Sequence, residues 1–503
     1  MLERNSAEFY KLSGSKKLMY KVLWFFNSIP QKLLSVLKKV ASGIKRVFLC
    51  IYRAIAETTE TFLKGDIFTR ISYFIMGFGQ YFRGQPLRGL IFSVFQISFL
   101  LYMVFFGFEY LGKLDNLGDV AAVTVINEYG LEVVEYKDNS LKILLYGTLT
   151  AFFCISYIYT WFINVRQNGI LQRLKEKGFK IKNASEDVRS LADSQYYKTL
   201  LALPLLGIII FTVIPLFFMI LVAFTNYDYT HLPPAKLFTW VGFDNFRNIL
   251  GVQVGDGKFA FTFAEILIWT LLWAFFATFT NYFLGILVAL LINKKGIKFK
   301  KGFRTLLVFT IAVPQFVSLL LISKMLADDG VINGILTQAG IISEGIKWLT
   351  DPVMARITVI LVNIWLGIPY TMLIATGILI NIPADLYESA RIDGAGGIKR
   401  FTKITMPYML FVTGPYLLTT FVGNINNFNV IYLLTGGAPK TTDFTGGAGY
   451  TDLLITWLYK LTLTDNDYKM AAVIGIMTFV VVAGISLVVY NISPSVKNEE
   501  SFQ

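Results

Sequence analysis

Side chains that carry out covalent or metal chemistry are scarce in this chain of 503 residues. It has one histidine, His231, and two cysteines, Cys50 and Cys154. His231 stands beside two prolines, with no cysteine and no cluster of carboxylates near it, so we interpret it as a loop residue rather than a metal ligand. We place Cys50 in the cytoplasm and Cys154 within a predicted span, so neither faces an oxidising compartment and we expect no disulfide. A membrane-embedded enzyme has no catalytic constellation here to support it.

A nucleotide-binding loop is also missing. The two Gly-Lys pairs end at Lys113 and Lys258 and are followed by Leu114 and Phe259, not by serine or threonine. Neither pair therefore forms the G-x-x-x-x-G-K-[ST] loop that holds the phosphates of ATP. We expect the chain to bind no cofactor or metal of its own and to have no catalytic activity.

Charged residues are few and apolar residues are many. The chain is 16% charged and 55% hydrophobic, with a mean hydropathy of +0.57. Soluble domains are about 25% charged, so this composition is typical of a protein that crosses the membrane several times. Taking about 20 apolar residues as one crossing, the sequence predicts an all-α polytopic membrane protein with about eight transmembrane helices. These lie at 89–110, 143–165, 200–224, 266–292, 304–323, 357–380, 408–432 and 470–491.

The distribution of basic residues gives the orientation and excludes a nucleic-acid partner. With the N-terminus inside, 34 of the 46 lysines and arginines fall in segments on the cytoplasmic side. This asymmetry is the one that bacterial and eukaryotic membrane proteins show. It explains the net charge of +13 without nucleic acid. We therefore predict a multi-pass protein of the plasma membrane with both termini in the cytoplasm.

Four regions follow from this map. Residues 1–64 form a basic extension in which one helical stripe is apolar, made of Leu33, Leu37, Val40, Ile44, Val47 and Ile51. This extension lies on the lipid surface or is a packed or loosely ordered helical tail without a specific role. Residues 65–198 hold an interfacial segment, the first two spans and a basic linker. Residues 199–495 form a core of six spans, and 496–503 are a C-terminal tail. The loop at 111–142 is expected to form a small hairpin around Tyr129 and Gly130.

No aspartate, glutamate, lysine or arginine lies at mid-depth of a predicted span. Proton-coupled carriers and ion pumps usually need an ionisable group there, despite its cost. A secondary carrier or channel that acts alone is therefore the weaker alternative, although neutral oxygens could hold sodium. A transporter without such charges takes its energy from outside the spans.

The polar segment from Pro383 to Pro407 is the best receiver for that energy. Pro383 suits the start of a helix, and glycines at 394, 396 and 397 permit a tight reversal before a second, basic helix. We place this helix pair in the cytoplasm and expect it to dock a partner.

Uncharged amides lie in or beside the spans, near aromatic residues. One isolated amide more often bonds another helix, for about 0.6–2 kcal/mol. Four amides in the run GNINNFN at 423–429 exceed that need, and amides with aromatic rings suit a neutral polyhydroxylated ligand. We also expect helix breaks at Pro314, Gly367–Pro369 and Gly414–Pro415, as in helices that line transport pathways. The amides are Asn281, Gln315, Asn363, Asn424, Asn426, Asn427 and Asn429; the aromatics are Phe316, Trp365, Tyr370, Tyr416, Phe421 and Phe428.

The cytoplasmic segment resembles the EAA…G…I-x-L-P signature of binding-protein-dependent ABC importer permeases. The matching residues are Glu388-Ser389-Ala390, Gly394 and Ile404-Thr405-Met406-Pro407, with mild departures at Ser389 and Met406. The segments FTNYD at 224–228, WVGFDNF at 240–246, NNFNVIYLLTGGAP at 426–439 and GYTDLLITWLYKLT at 449–462 are similar to the larger of two maltodextrin-type permease subunits. The resemblance covers roughly residues 65–495 and implies the type I ABC importer permease fold.

The resemblance implies partners and a coupling site. In the implied complex, this chain forms a heterodimer with a second permease in the lipid bilayer. Two ATP-binding subunits hold the ATP, and an extracellular solute-binding protein completes the complex. The EAA loop at 381–407 would dock on the ATPase. The residues carried over for this contact are Glu388, Ser389, Ala390, Arg391, Asp393, Gly394, Lys399 and Pro407.

The resemblance also implies a sugar site and a substrate class. The matching residues are Gln315, Asn363, Leu366, Gly367, Asn424 and Asn427. The expected substrate is a maltodextrin or maltose-type oligosaccharide; a galacto-oligosaccharide, a raffinose-type sugar or several sugars remain alternatives. The loop at 225–265 is short where well-known relatives carry a large folded insertion that grips the binding protein, so docking must use smaller surfaces.

Overall fold

A computed structural model describes residues 48–492 except 130, 182, 253–256 and 295, together with positions 38, 42, 43, 45 and 46. Of the predicted N-terminal stripe, only Ile51 is among the described residues. The predicted tail at 496–503 lies outside them.

Helices dominate the described chain from its start to residue 252. Two five-residue π turns, Met103–Gly107 and Ile209–Val213, join α4 to α5 and α8 to α9. The elements are α1 (48–63), α2 (Ile67–Ile71), α3 (Phe78–Tyr81), α4 (Pro86–Tyr102), α5 (Phe108–Gly112), strands β1 (Ala122–Ile126) and β2 (Glu132–Tyr136), α6 (Ser140–Glu176), α7 (Ala184–Ala192), α8 (Tyr196–Ile208), α9 (Ile214–Val222) and α10 (Asp244–Ile249).

The described chain from Gly257 onward is helical with long loops. A further π turn, Phe401–Thr405, leads into α18. The helices are α11 (Lys258–Asn293), α12 (Lys300–Ala312), α13 (Gln315–Met325), α14 (Val331–Gln338), α15 (Pro352–Ile380), α16 (Ala384–Ile392), α17 (Gly397–Arg400), α18 (Met406–Ile425), α19 (Phe428–Leu434), α20 (Leu454–Leu463) and α21 (Tyr468–Ile492).

Among the described residues, six helical stretches are long and apolar enough to cross a membrane. They are Pro86–Gly112, Ser140–Glu176, Tyr196–Val222, Lys258–Asn293, Pro352–Ile380 and Tyr468–Tyr490. The helices α12 and α13 meet at 91° and would make a seventh if they form one broken span. The all-helical membrane fold is confirmed, with six or seven candidate spans by length and composition where we predict eight.

Two of the predicted spans, 304–323 and 408–432, are broken in the structure at proline or polar residues. Val313 and Pro314 have extended backbones between α12 and α13, which confirms the predicted break at Pro314. The predicted span 408–432 is interrupted as well, because α18 ends at Ile425 and α19 begins at Phe428.

Pro369 and Pro415 lie inside the continuous helices α15 and α18, so the predicted breaks at these two positions are wrong. A proline removes one helical hydrogen bond, but membrane helices tolerate it where hydroxyl groups and neighbouring helices supply other contacts. Thr371 and Thr419 bond to the helix backbone near these prolines, to the carbonyls of Gly367 and Pro415 at 3.2 Å each. The carbonyls that receive no backbone N–H from the prolines are those of Trp365 and Phe411, four residues earlier.

The chain forms two compact units: residues up to Gly112 with Tyr146–Thr212, and Lys113–Leu145 with the residues from Val213 onward. In the first unit a buried polar network holds the short helices α2 and α3. Arg83 is 4% exposed; it pairs with Asp66 at 2.6 Å and donates to the Asn168 side chain at 3.0 Å. This network joins residues far apart in the chain, such as Arg83 and Asn168, and no motif in the sequence marks it.

In the second unit, α11 is the central helix. Its buried residues recur every three or four positions, including Trp273, Ala277, Asn281 and Gly285, as expected for a face packed against other helices. Gly285 allows close contact with α15, because a Cβ there would lie 2.6 Å from the Cβ of Thr371. Small residues at such contacts are typical of helices that pack within a membrane.

The predicted hairpin is confirmed in the second unit. Strands β1 and β2 pair antiparallel, with Val125 opposite Val133. Asn127 holds the turn, since its side-chain oxygen accepts hydrogen bonds from the backbone N–H groups of Tyr129 and Leu131 at 3.0 and 2.9 Å.

Candidate functional site

A cavity of about 360 Å³ lies among α11, α15 and α18 of the second unit. This volume is in the range of about 300–1,000 Å³ that small-molecule sites occupy. None of its lining residues is charged, and amides, hydroxyls and tyrosines dominate. They are Ala277, Thr278, Asn281, Tyr282, Asn363, Gly367, Tyr370, Thr371, Tyr416, Leu417, Thr419, Thr420 and Asn424. The lining suits a neutral polar solute, because hydroxyls and amides can donate and accept hydrogen bonds.

Three predicted sugar-site residues, Asn363, Gly367 and Asn424, line this cavity together. Asn424 is held in place from two sides. Its Nδ2 donates to the Thr278 hydroxyl at 3.0 Å, and its backbone carbonyl accepts from the Trp273 indole N–H at 3.1 Å. Direct hydrogen bonds therefore join α11 to α18 beside the cavity.

Asn427 does not line the cavity but supports a residue that does. Its Nδ2 lies 3.4 Å from Asn424 Oδ1, and its Oδ1 accepts from the backbone N–H of Val430 at 3.3 Å, which caps α19. Asparagine is a favoured residue at a helix start for this reason. The break between α18 and α19 thus follows from the same amides that we assign to the sugar.

The other two predicted sugar-site residues lie elsewhere. Gln315 is exposed at the first position of α13, directly after the bend. Leu366 packs against an apolar cluster that contains Trp273, Val359 and Val430. Neither residue is among those that line the cavity.

Asn281 lines the cavity but is absent from the predicted site. It is 8% exposed on α11, one turn beyond Ala277, whose carbonyl accepts from its Nδ2 at 2.8 Å. In the sequence, Asn281 is one of several amides in or beside the predicted spans. No motif marked it, and only its contact with α15 distinguishes it.

The predicted coupling loop has a well-defined geometry. The helix α16 ends with Gly394 at φ +71°, where the N–H groups of Gly394 and Ala395 donate to the carbonyls of Arg391 and Ala390 at 3.0 and 2.8 Å. Glycine suits this left-handed position and closes the helix end. The predicted second helix begins at Gly397 and continues through a π turn into α18, so it is the start of that longer helix rather than a separate one.

The surface of this loop is exposed and carries no internal ion pair among the described residues. Glu388, Ser389, Arg391, Asp393, Gly394, Lys399 and Pro407 are all exposed, and Ala390 is half-buried. Large apolar side chains are exposed between these polar residues: Ile392 is 87% and Ile398 is 83% exposed. Isoleucines so open to solvent beside unpaired charges are typical of a surface that a partner covers.

The uncharged cavity and the exposed polar loop are features expected of a permease for a neutral solute. Comparison with known proteins gives the same class. Residues 281–498 match the model of the family described as "Binding-protein-dependent transport system inner membrane component". The galactooligosaccharides transport system permease protein GanP of Bacillus subtilis (strain 168) is 36% identical over 84% of this chain and 97% of its own. The maltodextrin transport system permease protein MdxF of the same strain is 35% identical over 85% and 95%.

One chain of a solved bacterial alginate ABC transporter, in complex with an alginate pentasaccharide-bound periplasmic protein, is also similar. Its TM-score is 0.49 at 22% identity, over 61% of this chain and 96% of that chain.

This chain belongs to the family of binding-protein-dependent transport system inner membrane components, and it is a permease subunit of a carbohydrate ABC importer. It is a multi-pass membrane protein without catalysis of its own. In such systems the partner ATPase binds the ATP.

Proposed function

We propose that the chain imports maltodextrin-type oligosaccharides, and that the cavity between α11, α15 and α18 is its sugar site. The observation that carries the proposal is the uncharged lining, in which Asn363, Asn424, Tyr370 and Tyr416 face one space. Amides bond sugar hydroxyls, and tyrosine rings can stack on the apolar faces of the sugar. Gln315, Leu366 and Asn427 complete the proposed site when the sugar spans more than this cavity.

The coupling loop transmits the work of the ATPase in this proposal. Glu388, Arg391, Asp393 and Lys399 give a charged contact, and Ile392 and Ile398 supply apolar area that contact with the ATPase would bury. The complex has a second permease, two ATP-binding subunits and a solute-binding protein. Both termini of this chain are in the cytoplasm, as the basic residues favour.

A galacto-oligosaccharide is the second candidate substrate, because the relative that is 36% identical carries that name. Reconstitution of the full complex in liposomes distinguishes the two. We expect ATP hydrolysis to rise with maltodextrin-loaded binding protein and only when every subunit is present. A response to galacto-oligosaccharide alone would replace the maltodextrin proposal, and uptake by this chain alone with an ion gradient would contradict both.

A further inference from the structure

Two amide atoms beside the cavity have no hydrogen-bond partner among the described residues. They are Oδ1 of Asn281 and Nδ2 of Asn363, and both atoms are buried. Their residues are 8% and 6% exposed, and both line the cavity. A buried polar group without a partner costs about 1–3 kcal/mol, so a lone acceptor and a lone donor on facing helices need an explanation.

The orientation of the Asn281 amide is fixed by its neighbours. Its Nδ2 donates to the carbonyl of Ala277 at 2.8 Å and lies 3.4 Å from the carbonyl of Asn363. Turning the amide over would set an oxygen against both carbonyls. Oδ1 of Asn281 is therefore an acceptor that the protein leaves unused.

Gly367 has no side chain, and the Asn281 amide occupies the space that a side chain at this position would fill. A Cβ at Gly367 would lie 2.2 Å from Nδ2 and 2.5 Å from Cγ of Asn281. Contacts below 3.0 Å require the amide to move. Glycine at this position keeps the side chain of Asn281 between α11 and α15.

We infer that Asn281 is a substrate-binding residue, and that Asn281 and Asn363 together bind one hydroxyl of the sugar. The hydroxyl donates to Oδ1 of Asn281 and accepts from Nδ2 of Asn363, because a hydroxyl has both functions. Gly367 is a positioning residue that acts through Asn281. The inference rests on the proposed sugar site. Both atoms are covered in the conformation described, so a hydroxyl reaches them when the cavity opens.

This pair also selects the chemistry of the substrate. A carboxylate cannot donate to Oδ1 of Asn281, and no lining residue offers a cation to balance it. A hydroxyl satisfies both atoms without a net charge. The pair therefore favours neutral over acidic oligosaccharides, since a site built for a hydroxyl discriminates strongly against a ligand that leaves its polar groups unpaired.

The test uses the full complex in liposomes with maltotriose, galactotriose and their monodeoxy derivatives. In the wild type, one monodeoxy derivative should have a KM for uptake about 10–100 times higher than its parent, as one buried hydrogen-bonding group implies. Asn281→Leu should raise the KM for the parent by a similar factor and remove the difference for that derivative alone. Gly367→Ala should remove the same difference, because it displaces the amide.

Asn293→Leu is the matched control. Asn293 lies on the same helix and donates to the carbonyl four residues earlier at 2.8 Å, as Asn281 does, but it does not line the cavity. It should keep the wild-type discrimination. If Asn281→Leu and Gly367→Ala keep it too, Asn281 does not touch the sugar and the inference is wrong. If Asn281→Leu fails to assemble, Gly367→Ala decides by the same criterion. A wild-type complex that imports neither trisaccharide contradicts the proposed function instead, and the inference with it.

Discussion

The hydroxyl groups of Tyr387 and Thr405 lie 2.9 Å apart, and this hydrogen bond joins α16 to the base of α18. Thr405 is 2% exposed and lies in the π turn that leads directly into α18. Near its other end α18 carries Asn424, which lines the cavity. A displacement of α16 can therefore reach the proposed sugar site along one continuous helix.

Tyr387→Phe removes the hydroxyl of this hydrogen bond and little else. We expect stimulation of the ATPase by loaded binding protein to fall about twofold to tenfold, the effect of one hydrogen bond of about 0.5–1.5 kcal/mol. ATP hydrolysis by the reconstituted complex measures it. Tyr408→Phe is the control, because the hydroxyl of Tyr408 has no partner among the described residues. Unchanged stimulation in Tyr387→Phe would mean that the bond does not carry the coupling.

Glu388→Lys reverses a charge at the exposed centre of the coupling loop. We expect the ATPase subunits to be lost from the purified complex and uptake to stop, because the reversed charge repels the groups that met the carboxylate. Co-purification without a crosslinker measures the loss. Asp443→Lys makes the same charge change in an exposed loop beyond α19 and should keep the complex. A Glu388→Lys complex with wild-type assembly and activity would exclude the docking role.

Asn427 has two functions in our assignment, and two variants separate them. Asn427→Leu loses the cap of α19 and should destabilise the protein by about 1 kcal/mol. Asn427→Ser can still cap the helix, so its unfolding temperature should stay near that of the wild type. Both variants lose the contact with Asn424, and we expect both to raise the KM for sugar. If Asn427→Ser has the wild-type KM, Asn427 is a capping residue only.

The sequence predicts the helical class, the hairpin and the break at Pro314 because each depends on local rules. It does not separate Pro314 from Pro369 and Pro415, since tolerance of a proline in a helix depends on groups from neighbouring turns and helices. The pairing of Asn281 with Gly367 joins positions 86 residues apart, and the Arg83 network is equally remote in sequence. Such contacts arise from packing, which one sequence alone does not reveal.

The carboxylate of Asp228 joins two distant parts of the chain. It accepts hydrogen bonds from the Lys469 ammonium group and from the backbone N–H and the hydroxyl of Thr230, the latter two at 2.9 and 2.6 Å. Nδ1 of His231 lies 2.9 Å from the same carboxylate. His231 thus packs against a carboxylate within its loop. Burial alone would raise the pKa of Asp228, but the hydrogen bonds from Lys469, Thr230 and His231 outweigh it and hold that pKa well below 3.8.

Asp228→Asn should therefore destabilise the protein by about 2 kcal/mol at pH 7, because it removes the negative charge that strengthens the hydrogen bond from Lys469. The pKa in the folded state lies below the ordinary value, so the ionised carboxylate stabilises the fold fully above about pH 4 and loses that effect as the pH falls through the lowered pKa. Thermal unfolding in detergent should show a smaller difference between wild type and variant at pH 3 than at pH 7. Asp443→Asn, at an exposed site, should show little difference at either pH. An equal loss at both pH values for Asp228→Asn would place its effect in packing rather than in charge.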